Sequence, residues 1–483
     1  MGAARSLAGL AIAMLLVGCA AVGPDYHAPP LPAGLAERPS ATFAEAGSPA
    51  LSQAPLPAQW WRLYDDPRLD ALIGEALAAN TDLRVAAATL DRARAVLREA
   101  GAAAGVQTSI DGGFSVGETS AGGVGPATGV HDRIDAGIGI SYDVDVVGRI
   151  RRAVEAARAD ADAQAAAADL ARTVVVAGVV GAYGDACASG ARLEVARRSV
   201  ALQRRSLALT ERGARAGLYP PLDAVRSRAL LAQLESALPP LDGARRTALY
   251  RLAVLTGRAP ADFPADLANC AHVPALRQPL PVGDGAALIR RRPDIRQAER
   301  HIAAATADIG VATADLYPSI SLGASAGTTS RSVGHLLDSS AVRFSIGPVL
   351  SWRFPNVRVA RARIEQASAV QRGVLASFDG VVLNALREAE SALTVYVRDL
   401  EENAGLRAAR DENRTAAALQ NRLARGGTVS SLAALDVERT LAAAESALAA
   451  SDAVLASDRV RIFLALGGGW EEGAAAPSSA GSP

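Results

Sequence analysis

The sequence contains no lysine: its 50 Lys+Arg positions are all arginine, balanced by 50 Asp+Glu, so the formal charge is zero. A neutral chain has no bulk attraction for nucleic acid. Its only full-time cation is the planar guanidinium, which suits carboxylate pairing. Aromatics are scarce at 4%, although half of the residues are hydrophobic. Alanine and glycine supply much of that apolar half. The composition therefore points away from a dense globular core and towards alanine-rich helices that approach closely. Three cysteines are too few for a disulfide scaffold. Cys19 stands apart near the start. Cys187, in a helical stretch, and Cys270, in a proline-rich connector, are expected as free thiols, with a bridge between them as the alternative. Five scattered histidines make no metal-ligand spacing, and phosphate-binding and nucleic-acid motifs are absent. Beyond the first twenty residues no apolar run is long enough for a transmembrane helix. The best, Thr173 to Gly184, is short and bounded by Arg172 and Asp185.

Residues 1–18 read as a signal peptide, with Arg5 ahead of an apolar run from Leu7 to Val17. The run ends in Leu16-Val17-Gly18-Cys19, which resembles the bacterial lipobox. That resemblance implies cleavage before Cys19 and acylation of its sulfur. Ala20, in place of an aspartate, implies the outer membrane as destination. Several acyl chains anchor stably where one does so marginally. Residues 19–66 are proline-rich and aperiodic and read as a lipid-anchored extended arm.

The chain then repeats itself. Asp82-Leu83-Arg84 corresponds to Asp294-Ile295-Arg296, Gly217-Leu218 with Leu222 to Gly427-Thr428 with Leu432, and Leu231, Glu235 and Leu238 to Leu441, Glu445 and Leu448. The first repeat covers 67–257, a connector 258–286, the second repeat 287–466, and a Gly/Ala/Ser/Pro tail 467–483. Each half reads helix, strand, turn, strand, very long helix, tight turn, helix. The long helices are expected at about 150–217 and 356–426, the second beginning at Pro355, and each is near 100 Å at 1.5 Å per residue. Shorter helices are expected at 68–104, 220–256, 287–316 and 430–466.

Four stretches, at about 107–118, 132–146, 318–328 and 341–354, alternate strictly between apolar and small or charged residues. In RIDAGIGISYDVD, residues 133–145, Ile134, Ile138, Ile140, Tyr142 and Val144 oppose Asp135, Gly137, Gly139, Ser141, Asp143 and Asp145. Such alternation is a strand with one greasy and one wet face, and ten residues suffice for a tilted strand to cross a bilayer. Four strands cannot close a barrel, and an open edge in lipid leaves backbone groups unpaired. Several chains must pool strands: two would give eight and three would give twelve with an open lumen. The wet face carries Asp111, Asp135, Asp143, Asp145, Arg343 and Arg353 as candidate lumen residues. A soluble half-buried sheet is the alternative.

Five segments recur in a known order: Val22-Gly23-Pro24-Asp25-Tyr26, Trp60-Trp61, Arg291-Arg292-Pro293-Asp294, Leu316-Tyr317-Pro318-Ser319, and Leu432 with Leu435-Asp436. In their order, spacing and duplication the chain resembles the bacterial outer-membrane efflux proteins, the TolC-like outer membrane factors, and within them the NodT-type lipoproteins. The resemblance covers nearly the whole mature chain. It implies a mostly α protein with a transmembrane β part: a homotrimer with a 12-stranded outer-membrane β-barrel, four strands per chain, continued by a long periplasmic α-helical barrel. It also implies a passive conduit with no catalytic residue and no cofactor beyond the lipid on Cys19. A periplasmic adaptor and an inner-membrane RND-type pump would dock on the far end, with no nucleic-acid partner. The helix turns 212–223 and 422–432 would form that end, with Gly217, Leu218, Gly427, Thr428 and Val429 meeting the adaptor; turn geometry alone is the plainer account of those glycines. Leu432, Asp436 and Arg439 match the positions of the closed aperture in relatives. Ser431, where an aromatic is usual, and Pro220-Pro221 depart from the pattern. Protein or metal export on the same fold and a structural lipoprotein are the competing readings. An enzyme is a remote one: Gly323-Ala324-Ser325-Ala326-Gly327 fits G-x-S-x-G, but that motif needs a sharp turn and then a helix, and here the alternation continues.

Overall fold

A computed structural model describes residues 21–32, 42–119, 128–276, 278–354, 357–425 and 431–469. The signal segment 1–18, Cys19, Pro355, Gly427, Thr428, Val429 and most of the tail lie outside the described residues. After a two-residue strand, β1 (Leu51–Ser52), helix α1 (Pro67–Ala79) opens on Asp66, whose carboxylate accepts the N–H groups of Arg68 and Leu69. It does not run on to residue 104 as the periodicity suggests. Asn80 is extended, its side chain caps α2 (Thr81–Ala102) by accepting from Asp82 and Leu83, and its amide donates to the Leu255 carbonyl. Strands β2 (Gln107–Thr119) and β3 (Thr128–Val144) follow, and then α3 (Arg149–Arg215), 67 residues without a break.

The expected helix 220–256 is two helices, α4 (Pro221–Ser236) and α5 (Leu238–Leu255), meeting at Ala237. Pro239 and Pro240 lack the N–H groups that a continuous helix would use. After β4 (Leu280–Pro281), the helix expected at 287–316 is likewise split into α6 (Gly285–Arg291) and α7 (Pro293–Ala314). Arg292 is held extended because a residue preceding proline avoids the helical region. Strands β5 (Ser319–Ser330) and β6 (Val342–Ser351), the 69-residue α8 (Val357–Arg425) and α9 (Ser431–Ala465) complete the chain.

Contacts divide the chain into two units. The first (1–30, 89–165, 297–378) contains a four-stranded antiparallel sheet in the order β2-β3-β5-β6. The second (31–88, 166–296, 379–483) contains the connector and the remaining helices. Its core stacks Trp60 on Phe463 at 4.2 Å, with Leu69, Leu72, Leu252 and Leu393 fully buried. Arg292, also buried, donates to Asp294, Glu388 and the Ala465 carbonyl.

Two expectations are corrected in this second unit. Cys187 and Cys270 are not free thiols but form a disulfide, with their Cα atoms 4.7 Å apart. The connector reaches α3 because Gly190, almost one turn beyond Cys187, has no side chain: a Cβ there would strike the Cys270 carbonyl. By length and composition α3 also contains a stretch apolar enough to cross a membrane, which the Thr173–Gly184 run did not predict. In the fold, Val176, Val179, Ala182 and Cys187 on this helix are buried in protein.

Candidate functional site

The pleat sends alternate residues of each strand to opposite faces, and the register decides whether those faces agree from strand to strand. Here they agree. Ile110 lies opposite Ile138, which lies opposite Ala326, which lies opposite Phe344. Ile140, Ala324 and Ile346 form a second row, and Tyr142, Leu322 and Pro348 a third. One face of the sheet is therefore continuous and apolar, and it is bare: Ile110 is 88% exposed, Phe344 and Ile346 each 82%. A patch of this kind marks an interaction surface. The two outer strands, β2 and β6, each pair on one side only within the chain.

The opposite face is polar and cross-linked. Asp135 accepts from the Thr329 hydroxyl at 2.6 Å and from Arg133 at 2.9 Å, with Arg343 at 3.5 Å. Ser325 and Ser345 share a hydrogen bond of 2.8 Å across β5 and β6. Ser325 thus sits mid-strand rather than on a nucleophile's turn. Asp111 accepts from Ser109, and Asp143 lies opposite Ser321. Asp111, Asp135, Asp143 and Arg343 stand on the expected face. Asp145 and Arg353 do not belong to the strands, which end at Val144 and Ser351. The Asp145 carboxylate instead accepts the Ile150 and Arg151 N–H groups at 3.0 Å each, satisfying the free donors at the start of α3. Arg353 lines a cleft of about 320 Å³ at this sheet–helix junction with Asp143, Asp315 and Arg363.

At the first helix turn, Gly217 has φ +70°, where a side chain would be strained, and Leu218 is exposed beside it. Pro220 caps α4 and Pro221 opens it, so the unusual pair is a helix start. At the second turn, Asp436 and Arg439 form an exposed ion pair of 2.6 Å on α9. The side chain of Leu432 is outside the described residues. Sequence reasoning missed Glu438, two positions from Asp436. Its carboxyl is pushed up by burial and takes a hydrogen bond from Ser206 of α3, while its Oε2 finds no partner among the described residues. The repeat is visible as chemistry higher up: Arg204 bridges Glu235 at 2.6 Å, and at the same offset Arg414 bridges Glu445 at 2.8 Å.

A second missed group joins α8 to α9. Asp458 is 1% exposed, and its Oδ2 meets no hydrogen-bond donor among the described residues. Burial and the facing Asp399 carboxyl push its pKa up to about 6, against the pull of Arg461 and Arg459. A carboxylate oxygen facing another carboxyl is satisfied only when a proton lies between them. No group of His, Cys, Asp and Glu suited to a metal occurs among the described residues.

The profile of the family described as outer membrane efflux protein matches residues 72–258 and 286–468. Nodulation protein T of Rhizobium leguminosarum bv. trifolii is 28% identical over 457 residues, which is 95% of this chain and 96% of that protein. The antibiotic efflux pump outer membrane protein ArpC of Pseudomonas putida is 30% identical over 476 residues, 97% of this chain and 96% of that protein. Among solved structures, the outer-membrane channel OprN matches with a TM-score of 0.85 and 34% identity, covering 93% of this chain and 99% of that one.

Proposed function

The chain belongs to the outer membrane efflux protein family, and on that footing we propose that it is the outer-membrane channel of a tripartite efflux system. Its place is the bacterial outer membrane, with the helical part in the periplasm. Three copies pool their strands into a twelve-stranded barrel, β6 of one beside β2 of the next, and their helices enclose a periplasmic tunnel. A periplasmic adaptor and an RND-type inner-membrane pump load it, and small organic compounds leave through it. The division into repeats at 67–257 and 287–466 gives each chain two helical hairpins. Cys19 carries the lipid anchor, and no cofactor or catalytic residue takes part.

The observation that supports this reading best is the bare apolar face, aligned across all four strands, on a sheet with two unpaired edges. In water such a face favours aggregation and such edges pair indiscriminately. In lipid the face is solvated, and closure removes the edges. The polar face then lines a water-filled lumen with Asp111, Asp135, Asp143 and Arg343. Gating is placed at the second turn, where Leu432 forms an apolar ring and Asp436 and Arg439 a charged one; Gly217, Leu218, Gly427, Thr428 and Val429 meet the adaptor. The detergent-purified particle should be a trimer that conducts ions across a planar bilayer; a monomer without conductance would refute the channel. Replacing both Asp436 and Arg439 by alanine should raise conductance and antibiotic leakage, and wild-type leakage in that variant would remove these two residues from the gate.

A further inference from the structure

A cavity of about 500 Å³ is formed wholly by residues of the second unit. Its lining includes no strand residue and no residue of either helix turn. Four helices wall it: Leu170 and Thr173 come from α3, Pro293 from the start of α7, Ala392 and Val395 from α8, and Leu464 from α9. Val395 and Leu464 keep much of their carbon surface exposed. Small-molecule sites have volumes of roughly 300–1,000 Å³ and apolar walls with a few placed polar groups. This cavity has both the size and the walls.

Its charged groups are Arg292, Arg387, Arg461, Asp294, Glu388 and Asp458, and they are unevenly paired. Arg292, 9% exposed, donates to both oxygens of Asp294 at 3.0 and 2.6 Å, to Glu388 Oε2 at 3.0 Å and to the Ala465 carbonyl at 2.7 Å. Asp458 Oδ1 accepts from Arg461 at 3.3 Å, and its Oδ2 has no access to solvent. Each acid on the wall therefore already has a guanidinium. The converse does not hold. The Arg387 and Arg461 side chains are 64% and 67% exposed. Arg387 reaches only Asn384 at 3.4 Å and Glu388 at 3.8 Å, and Arg461 only Asp458. Among the described residues, each keeps most of its five N–H donors free. An entering cation would have to displace a guanidinium from its carboxylate. An anion needs only the donors that are free, and its bonds to guanidinium are charge-assisted and can be bidentate. A hydrophobic body on the same molecule would leave water for the carbon walls.

We propose that this cavity binds an amphipathic organic anion. Its carboxylate or sulfonate group is held by Arg387 and Arg461 at the mouth, and its hydrophobic body lies against Leu170, Ala392, Val395 and Leu464. The binding site stands whether or not the chain conducts.

The test uses the purified full-length protein in a non-ionic detergent and two photoreactive aryl diazirines of equal size, one carrying a sulfonate and the other a trimethylammonium group. On irradiation the sulfonate should label α8 around 391–395 and α9 around 461–465, and excess unreactive naphthalenesulfonate should reduce that labelling several-fold. The ammonium twin should label these segments only at background. Arg387→Gln combined with Arg461→Gln should lower sulfonate labelling several-fold at unchanged particle size and melting temperature, and Val395→Trp, which fills the cavity, should remove it. Equal labelling by the two twins in the wild type would overturn the anion site without recourse to any variant, as would wild-type labelling in the double variant. Labelling confined to subunits separated from the assembled protein would show that a neighbouring copy fills the cavity, and would overturn it as well. A protein that labels as expected but does not conduct would count against the channel reading alone.

Discussion

The burial of Asp458 beside Asp399 has a direct consequence for stability. The Asp458 carboxyl moves from an ordinary 3.8 to about 6 in the folded chain, so the folded state binds its proton more tightly than the unfolded one. Its contribution is complete below about pH 4 and is lost as pH rises through about 6. Two pKa units correspond to at most about 3 kcal/mol. Purified protein should therefore melt at lower temperature at pH 7 than at pH 5, and Asp458→Asn should flatten that slope; an unchanged slope would assign the proton elsewhere. The Cys187–Cys270 disulfide permits a second measurement. It closes a loop across a sequence separation of 83, and removing such a link costs about 2–4 kcal/mol. The double serine variant should lose that much in chemical denaturation, and reductant should lower the wild type to the same midpoint. The carboxyl pair was not legible in the sequence, and the bridge stood there only as the alternative to two free thiols, because spacing along a chain carries no information about which distant side chains end up facing each other. Asp399 and Asp458 each look like ordinary surface carboxylates on a helix, and Cys270 sits in an aperiodic connector.

At the scale of elements, the strands were the most legible part, because a period of two is self-evident over ten residues and all four stretches showed it. The long helices were legible too, since alanine-rich three-and-four spacing continues without interruption. Their neighbours were not: 68–104, 220–256 and 287–316 each break once. The signals were present at Pro239-Pro240 and Pro293, but at Asn80 only the tertiary bond to Leu255 shows why the helix stops. The aligned faces make the strands separable by mutation. Ile346→Arg places a charge on the face assigned to lipid and should cost about 2–4 kcal/mol near the midplane, reducing assembled channel in membranes. Ser345→Arg, one residue away on the polar face, should assemble normally and shift ion selectivity. Equal assembly of the two variants would show that the faces are not exposed to different solvents.

At the scale of the molecule, the described sheet keeps a bare apolar face and two outer strands paired on one side only, which the channel proposal assigns to lipid and to other copies. Cross-linking of the intact protein in membranes should stop at three chains, and a cysteine pair joining β6 to β2 should form between chains rather than within one. The sequence alone determined the two-faced strands, the very long helices, the internal duplication and the family, because each of these is written in periodicity or in ordered local motifs. Only the tertiary structure decided the common register of the four strands, the capping role of Asp145, the Cys187–Cys270 bridge, the half-buried Glu438, the buried Asp458, and the closure of Arg152 over Val22–Asp25. Each of these depends on which distant segments pack together, and burial and partner geometry, not residue type, set what a side chain does there.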